Sequence, residues 1–211
     1  MRLDHVSYAA GPDGLDDTAR RLADQLGVEL IDGGVHPRFG TRNRVLPLAG
    51  GHYLEVVGVL DHPAVDTVPF GQAVKARSEA GGGWLGWVVA VDDLDPIETR
   101  LGRAAVPGNR KRPDGFELLW KQIGVRGLIN DPQLPFFVHW ESDPAEHPSK
   151  NGNGVELVNL EIAGDPHRVA EWLGEPEDHP LDDVDVTWTA PNGQPGLLSV
   201  AFRTAHGTVR I

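Results

Sequence analysis

Two histidines and two glutamates lie in strand-like runs that could turn them toward a common space. His5 sits in Leu3-Asp4-His5-Val6 and Glu55 in Tyr53-Leu54-Glu55-Val56-Val57. His139 and Glu141 share the run Phe136-Phe137-Val138-His139-Trp140-Glu141. Alternate side chains of a strand share a face, which groups His5 with Ser7, Glu55 with Tyr53, and His139 with Glu141. Imidazole nitrogens and carboxylate oxygens on one face are a donor set for a divalent metal such as iron, manganese, nickel or zinc. The same residues admit a plainer reading. His5 could be a hydrogen-bonded core histidine, and Glu55, amid apolar neighbours, could be held by Arg44. A one-residue slip of register would put His139 on the other face.

Other groups are candidates for holding a ligand. Thr41 and Asn43 alternate onto one face within the polar stretch His36 to Asn43. They could bond a ligand or only stabilise a capped loop. Lys111 and Arg112 adjoin a Pro-Asp-Gly turn and could attract an anion or remain solvated. Trp87 and Trp120, with Trp84 and Trp140, would favour a planar or apolar ligand if they line a cavity. Gly81-Gly82-Gly83 precedes a strand-like run rather than a helix, so it lacks the helix N-terminus that phosphate binding uses. The serines lack a nucleophile-elbow context.

Composition narrows the function classes. The 211 residues contain no cysteine, which excludes disulfides, zinc-thiolate sites, iron–sulfur clusters and thiol nucleophiles. A formal net charge of −12 would repel a phosphate backbone, so no nucleic-acid partner is expected. No apolar run reaches membrane-spanning length and the N-terminus shows no signal-like region, so a soluble cytoplasmic protein is the expectation, with no membrane partner.

The elements that would position these residues repeat along the chain. A short β-type run, an Asp- or Pro-marked helix start and a Leu-Gly helix end occur three times, closing at Leu26-Gly27, Leu101-Gly102 and Leu173-Gly174. Strand-like runs follow each helix: 28–31, 44–48 and 53–57, then 104–106, 117–125 and 136–141, then 184–189, 197–203 and 208–211. The unit is therefore βαβββ. The expected class is α+β, with repeated βαβββ units forming a curved mixed sheet around a cavity and a third, degenerate unit at the C-terminus. Units at about 1–60 and 82–142 make up a region of residues 1–150. The third, 151–211, is expected to pack on the same domain, where it could cover a sheet edge, after a polar linker from Asp143 to Gly154. A short helix is expected near Phe70 to Ala80.

Leu3-Asp4-His5-Val6 opening such a unit, with Tyr53-Leu54-Glu55 closing it, resembles the glyoxalase/bleomycin-resistance/extradiol-dioxygenase group, the vicinal-oxygen-chelate superfamily. The glyoxalase-like branch is similar also in Gly34-Val35-His36-Pro37 through Gly40-Thr41-Arg42-Asn43, in Arg112-Pro113-Asp114-Gly115 with Trp120, in Leu134-Pro135-Phe136-Phe137 with Trp140, and in His147-Pro148. The resemblance covers about residues 1 to 150. It implies metal binding by His5 and Glu55. The third customary ligand position aligns with Trp87, which cannot bind a metal, and a fourth falls near Val138 or His139. The resemblance thus leaves a set of His5, Glu55 and His139, or no metal. Two functions follow. One is a divalent-metal-dependent lyase, isomerase or dioxygenase in which Glu141 moves a proton. The other is a metal-free protein that binds or sequesters a small molecule. Either a monomer or a homodimer is compatible with paired units.

Overall fold

A computed structural model describes residues 1–152 and 154–211. The first unit runs β1 (Arg2–Ala9), α1 (Leu15–Leu26), β2 (Ile31–His36), β3 (Thr41–Pro47) and β4 (Tyr53–Val59). Two helices follow, α2 (Ala64–Thr67) and α3 (Pro69–Glu79), the latter near the expected position. The second unit is β5 (Gly83–Ala90), α4 (Asp95–Leu101), β6 (Val106–Lys111), β7 (Glu117–Ile123) and, after a single turn α5 (Gly127–Asn130), β8 (Phe136–Trp140). Helices α1 and α4, and α6 (Pro166–Leu173) of the last unit, all end in glycines in the left-handed conformation, Gly27, Gly102 and Gly174. The recurring Leu-Gly is thus a helix stop, whose αL residue needs no Cβ.

The two units form one closed barrel in the order β1-β4-β3-β2-β6-β7-β8-β5. Within each unit the first strand pairs in parallel with the last. The units join twice, along β1–β5 and at the narrow β2–β6 seam, where Val35 faces Lys111. Gly34 makes that seam possible. Its φ is +110°, and a Cβ there would collide with the Lys111 carbonyl oxygen. The expected curved sheet is therefore fully closed.

Strands β2 and β6 differ most from the sequence expectation, and they differ in the same way. Each lies toward the C-terminus of its expected run, 28–31 and 104–106. Asp32-Gly33-Gly34 and Pro107-Gly108-Asn109 are poor strand formers, so pairing across the seam sets these strands rather than local propensity.

The remaining residues form β9 (Glu156–Ala163), α6, β10 (Asp185–Thr189), β11 (Gly196–Thr204) and β12 (Gly207–Arg210), in a separate sheet of order β10-β9-β11-β12. Here the first strand pairs in parallel with the strand directly after the helix, so the unit is rearranged as well as degenerate. One apolar cluster joins the outer barrel face, through Val6, Leu54, Trp87 and Phe137, to Leu160 and Phe202 of this sheet. Polar contacts add to it: Trp84 Nε1 donates to the Ile211 carbonyl at 3.0 Å, and the Leu3 amide to Asp183 at 3.1 Å. A second cluster, with Val57, Phe70, Val88 and Phe136, fills part of the barrel interior. Among the described residues no helix is long and apolar enough to cross a membrane.

Candidate functional site

Inside the barrel, the first unit supplies most of the polar groups and the second most of the aromatic wall. Glu55 on β4 is buried and accepts two hydrogen bonds, from Ser7 Oγ to Oε2 and from Asn43 Nδ2 to Oε1, both 2.8 Å. Gly33 leaves room for the Asn43 amide, which a Cβ would displace. His5 Nε2 stands 3.9 Å from Glu55 Oε2, and His36 Nε2 stands 3.8 Å from Oε1. The carboxylate is thus flanked by two imidazoles. Burial pushes its pKa up, but His36, His5 and the two hydrogen bonds outweigh it and hold Glu55 below its ordinary value.

Each imidazole has its other nitrogen engaged. His5 Nδ1 lies 2.8 Å from Asp4 Oδ2, and His36 Nδ1 lies 2.9 Å from Thr41 Oγ1. Burial, first of all, lowers the His36 pKa to about 4, so this ring is neutral at pH 7. Asp4 is fully buried and also meets His147 Nε2 at 3.0 Å and Trp140 Nε1 at 3.2 Å. Burial opposes its ionisation, yet the His147 and His5 hydrogen bonds hold it well below the usual carboxylate range. The His5 ring stacks on Tyr53 with centroids 4.3 Å apart. Across the cavity lie Phe136, Trp120, Trp140 and Arg110. The cavity holds about 30 Å³, room for about two waters.

The structure brings together His5, Glu55, Thr41, Asn43 and Trp120. Thr41 and Asn43 hold His36 and Glu55 in place. It does not bring in the other expected residues. His139 lies on the opposite face of β8, because Phe136, Val138 and Trp140 are the residues that point inward, and its Nδ1 meets the Val91 carbonyl at 3.1 Å. Glu141 lies beyond β8, exposed, 3.5 Å from Lys121. Trp87 belongs to the outer core, fully buried, and donates to the Gln133 carbonyl at 3.0 Å. Its neighbour Val88 faces inward and is the β5 residue opposite His5. Arg112 is engaged with Asp114 and Glu146 outside the cavity. His139→Ala is accordingly expected to leave ligand binding unchanged and to alter stability by at most about 1 kcal/mol, as denaturant melts and binding titrations would check.

Four functional residues escaped the strand-alternation reading. Asp4 should face away from His5, but a register shift between Leu3 and His5 on β1 brings it to the same network. His36 and Arg110 lie on the two poorly patterned strands. His147 lies in the stretch read as a linker. That stretch instead forms a single 3₁₀ turn, Pro144–Glu146, that brings His147 to Asp4, and Asn153 of it lies outside the described residues.

A family model described as a glyoxalase-like domain matches residues 3–177. The chain belongs to this family. It is accordingly a glyoxalase-like protein of the vicinal-oxygen-chelate superfamily. No curated protein matches it. A hypothetical protein from Staphylococcus aureus is similar in structure over 98% of this chain and 92% of its own, with a TM-score of 0.75 at 16% identity. Methylmalonyl-CoA epimerase from Mycobacterium tuberculosis matches 68% of this chain and 89% of its own, with a TM-score of 0.44 at 20% identity. A variant of the Streptomyces coelicolor epimerase, in complex with 2-nitronate-propionyl-CoA, matches 67% of this chain and 99% of its own, with a TM-score of 0.45 at 17% identity.

The superfamily resemblance implies a divalent metal at His5 and Glu55. The donor types suit one, since each ring offers an Nε2 and has Nδ1 held by a neighbour, as metal-binding histidines do. The arrangement does not fit one. Both Glu55 oxygens already accept hydrogen bonds, and the Arg110 guanidinium shares the cavity. Among the described residues no three His, Asp or Glu side chains converge closely enough to hold an ion.

Proposed function

We propose that this chain is an enzyme that moves a proton on a small carbonyl-bearing molecule held in the barrel, as an isomerase or lyase does. The observation that carries the reading is the Asp4–His5 pair beside Glu55. An ionised Asp4 accepts from Nδ1–H of His5, which leaves the Nε2 lone pair directed at the cavity. His5 then takes the proton adjacent to the substrate carbonyl and returns it to a neighbouring atom. Glu55, held ionised by Ser7 and Asn43, stabilises the imidazolium formed in between. The aromatic wall limits the water that can reach the exchange.

Proton exchange tests this. Pyruvate in D₂O, followed by NMR, is expected to exchange its methyl protons faster with the protein than without it, and His5→Ala is expected to reduce the rate by roughly 100-fold or more. A second reading, binding without chemistry, draws on the aromatic wall. Pyruvate that binds to the wild-type protein with no accelerated exchange would favour it.

Metal addition separates both from a metal enzyme. An ion at 100 times its Kd raises stability by about 2.7 kcal/mol. No such rise is expected with Mn²⁺, Fe²⁺, Ni²⁺ or Zn²⁺ in thermal melts. A rise abolished by both His5→Ala and His36→Ala would instead assign these rings to an ion.

A further inference from the structure

Given the barrel interior as the ligand site, we infer that its ligand is a small organic anion whose charged oxygens are received by Arg110. Arg110 is only 4% exposed, yet it makes no side-chain hydrogen bond and no ion pair among the described residues, and its Nε is enclosed without a partner. A guanidinium carries five N–H donors, and buried ones are ordinarily paired. The acids around it are engaged elsewhere. Glu55 is held by Ser7 and Asn43 and lies beyond the 4.0 Å of a direct ion pair. Asp4 is held by His5 and His147. Glu146 and Asp32, across a second cavity of about 70 Å³ that Arg110 also lines, are taken by Arg112 and Lys150 and by Arg42 and Arg44. What remains for the Arg110 donors is cavity space, and of the two cavities it lines, the barrel interior is the one that also holds His5 and Glu55.

The approach to the cavity carries the same sign. A larger cavity of about 540 Å³ adjoins the barrel cavity and shares Phe39, Phe70 and Gln122 with it. Arg38, Arg103 and Arg126 line it, and no Asp or Glu does. None of the three is in an ion pair among the described residues, although Asp and Glu outnumber Lys and Arg by 31 to 19 in the chain. Such a mouth concentrates anions from a surface that otherwise repels them. The barrel cavity, about 30 Å³, suits a carboxylate group. The rest of the molecule would then extend past Phe39 and Phe70 into the outer cavity.

The test uses the full chain and four probes: pyruvate, benzoate and their neutral amides, pyruvamide and benzamide. Binding is read from quenching of tryptophan fluorescence, because Trp120 and Trp140 line the cavity. The acids are expected to bind at least roughly tenfold more tightly than the amides. Arg110→Gln is expected to weaken the acids by at least that factor while melting no lower than wild type, and Arg110→Lys to retain part of the affinity. Arg126→Gln should chiefly reduce the salt dependence of binding. Equal affinity for acids and amides would overturn the anion assignment, and so would failure of both acids to bind. Acids that bind wild type and Arg110→Gln alike would overturn Arg110 as the receptor. Selective acid binding without proton exchange would uphold the inference while removing the proposed catalysis, so the two fail separately.

Discussion

Asp4→Ala is expected to destabilise the fold by about 3–5 kcal/mol. Asp4 is fully buried at a bulge of β1 and joins three elements: β1 through His5, β8 through Trp140, and the segment before β9 through His147. Removing the carboxylate leaves the buried His5 N–H and the half-buried His147 and Trp140 N–H groups without this acceptor, and their desolvation goes uncompensated. Asp4→Asn keeps the volume and one acceptor, and a smaller loss is expected. The same variants should lose proton exchange, because the His5 tautomer is no longer set. Denaturant melts at pH 7 check the first effect and the pyruvate exchange rate the second. A loss below about 1 kcal/mol for Asp4→Ala would mean that water satisfies these groups and that the network is not the anchor.

The second large effect is acid sensitivity in a window set by His36. Its pKa falls from 6.5 to about 4 in the fold, chiefly by burial, with Arg110 and His5 adding to the effect and Glu55 opposing it. An unfolded chain takes up this proton as pH falls through 6.5, whereas the folded protein stays neutral there until near 4. The unfolded state binds more protons within that window, so stability rises with pH across it and levels off above 6.5. At 1.36 kcal/mol per unit, the loss from pH 6.5 down to 4 is about 3 kcal/mol. Urea melts across this range should show the slope, and His36→Asn should flatten it. A wild-type slope that persists in His36→Asn would assign the effect to other groups. The lowered Glu55 and Asp4 carboxyls act further toward acid. Their contributions are present above the ordinary values of 4.5 and 3.8 and are lost as pH falls below them.

The βαβββ unit and the placing of His5 and Glu55 on its strands were legible in the sequence because each depends on local rules, and the family was legible through the resemblance of short motifs. A left-handed glycine must end each helix, and the patterned strands β1, β4, β5, β7 and β8 show their apolar residues without tertiary context. Face assignments within those strands were less secure. His139 and Glu141 fell on the wrong side because the inward-facing residues of β8 are hydrophobic too, and a run apolar on both faces does not declare which one meets the cavity. Asp4 was hidden by a bulge, which breaks alternation without a sequence marker. His36 and Arg110 share a deeper reason. Both sit on the seam strands β2 and β6, glycine-bearing and weakly patterned, which become strands only when the two units close against each other. The sequence by itself determined the repeated unit and its first histidine–glutamate pair. Only closure of the barrel placed a neutral imidazole and a guanidinium unpaired among the described residues beside that pair, because it brought together strands that are remote in sequence and buried both groups away from bulk water.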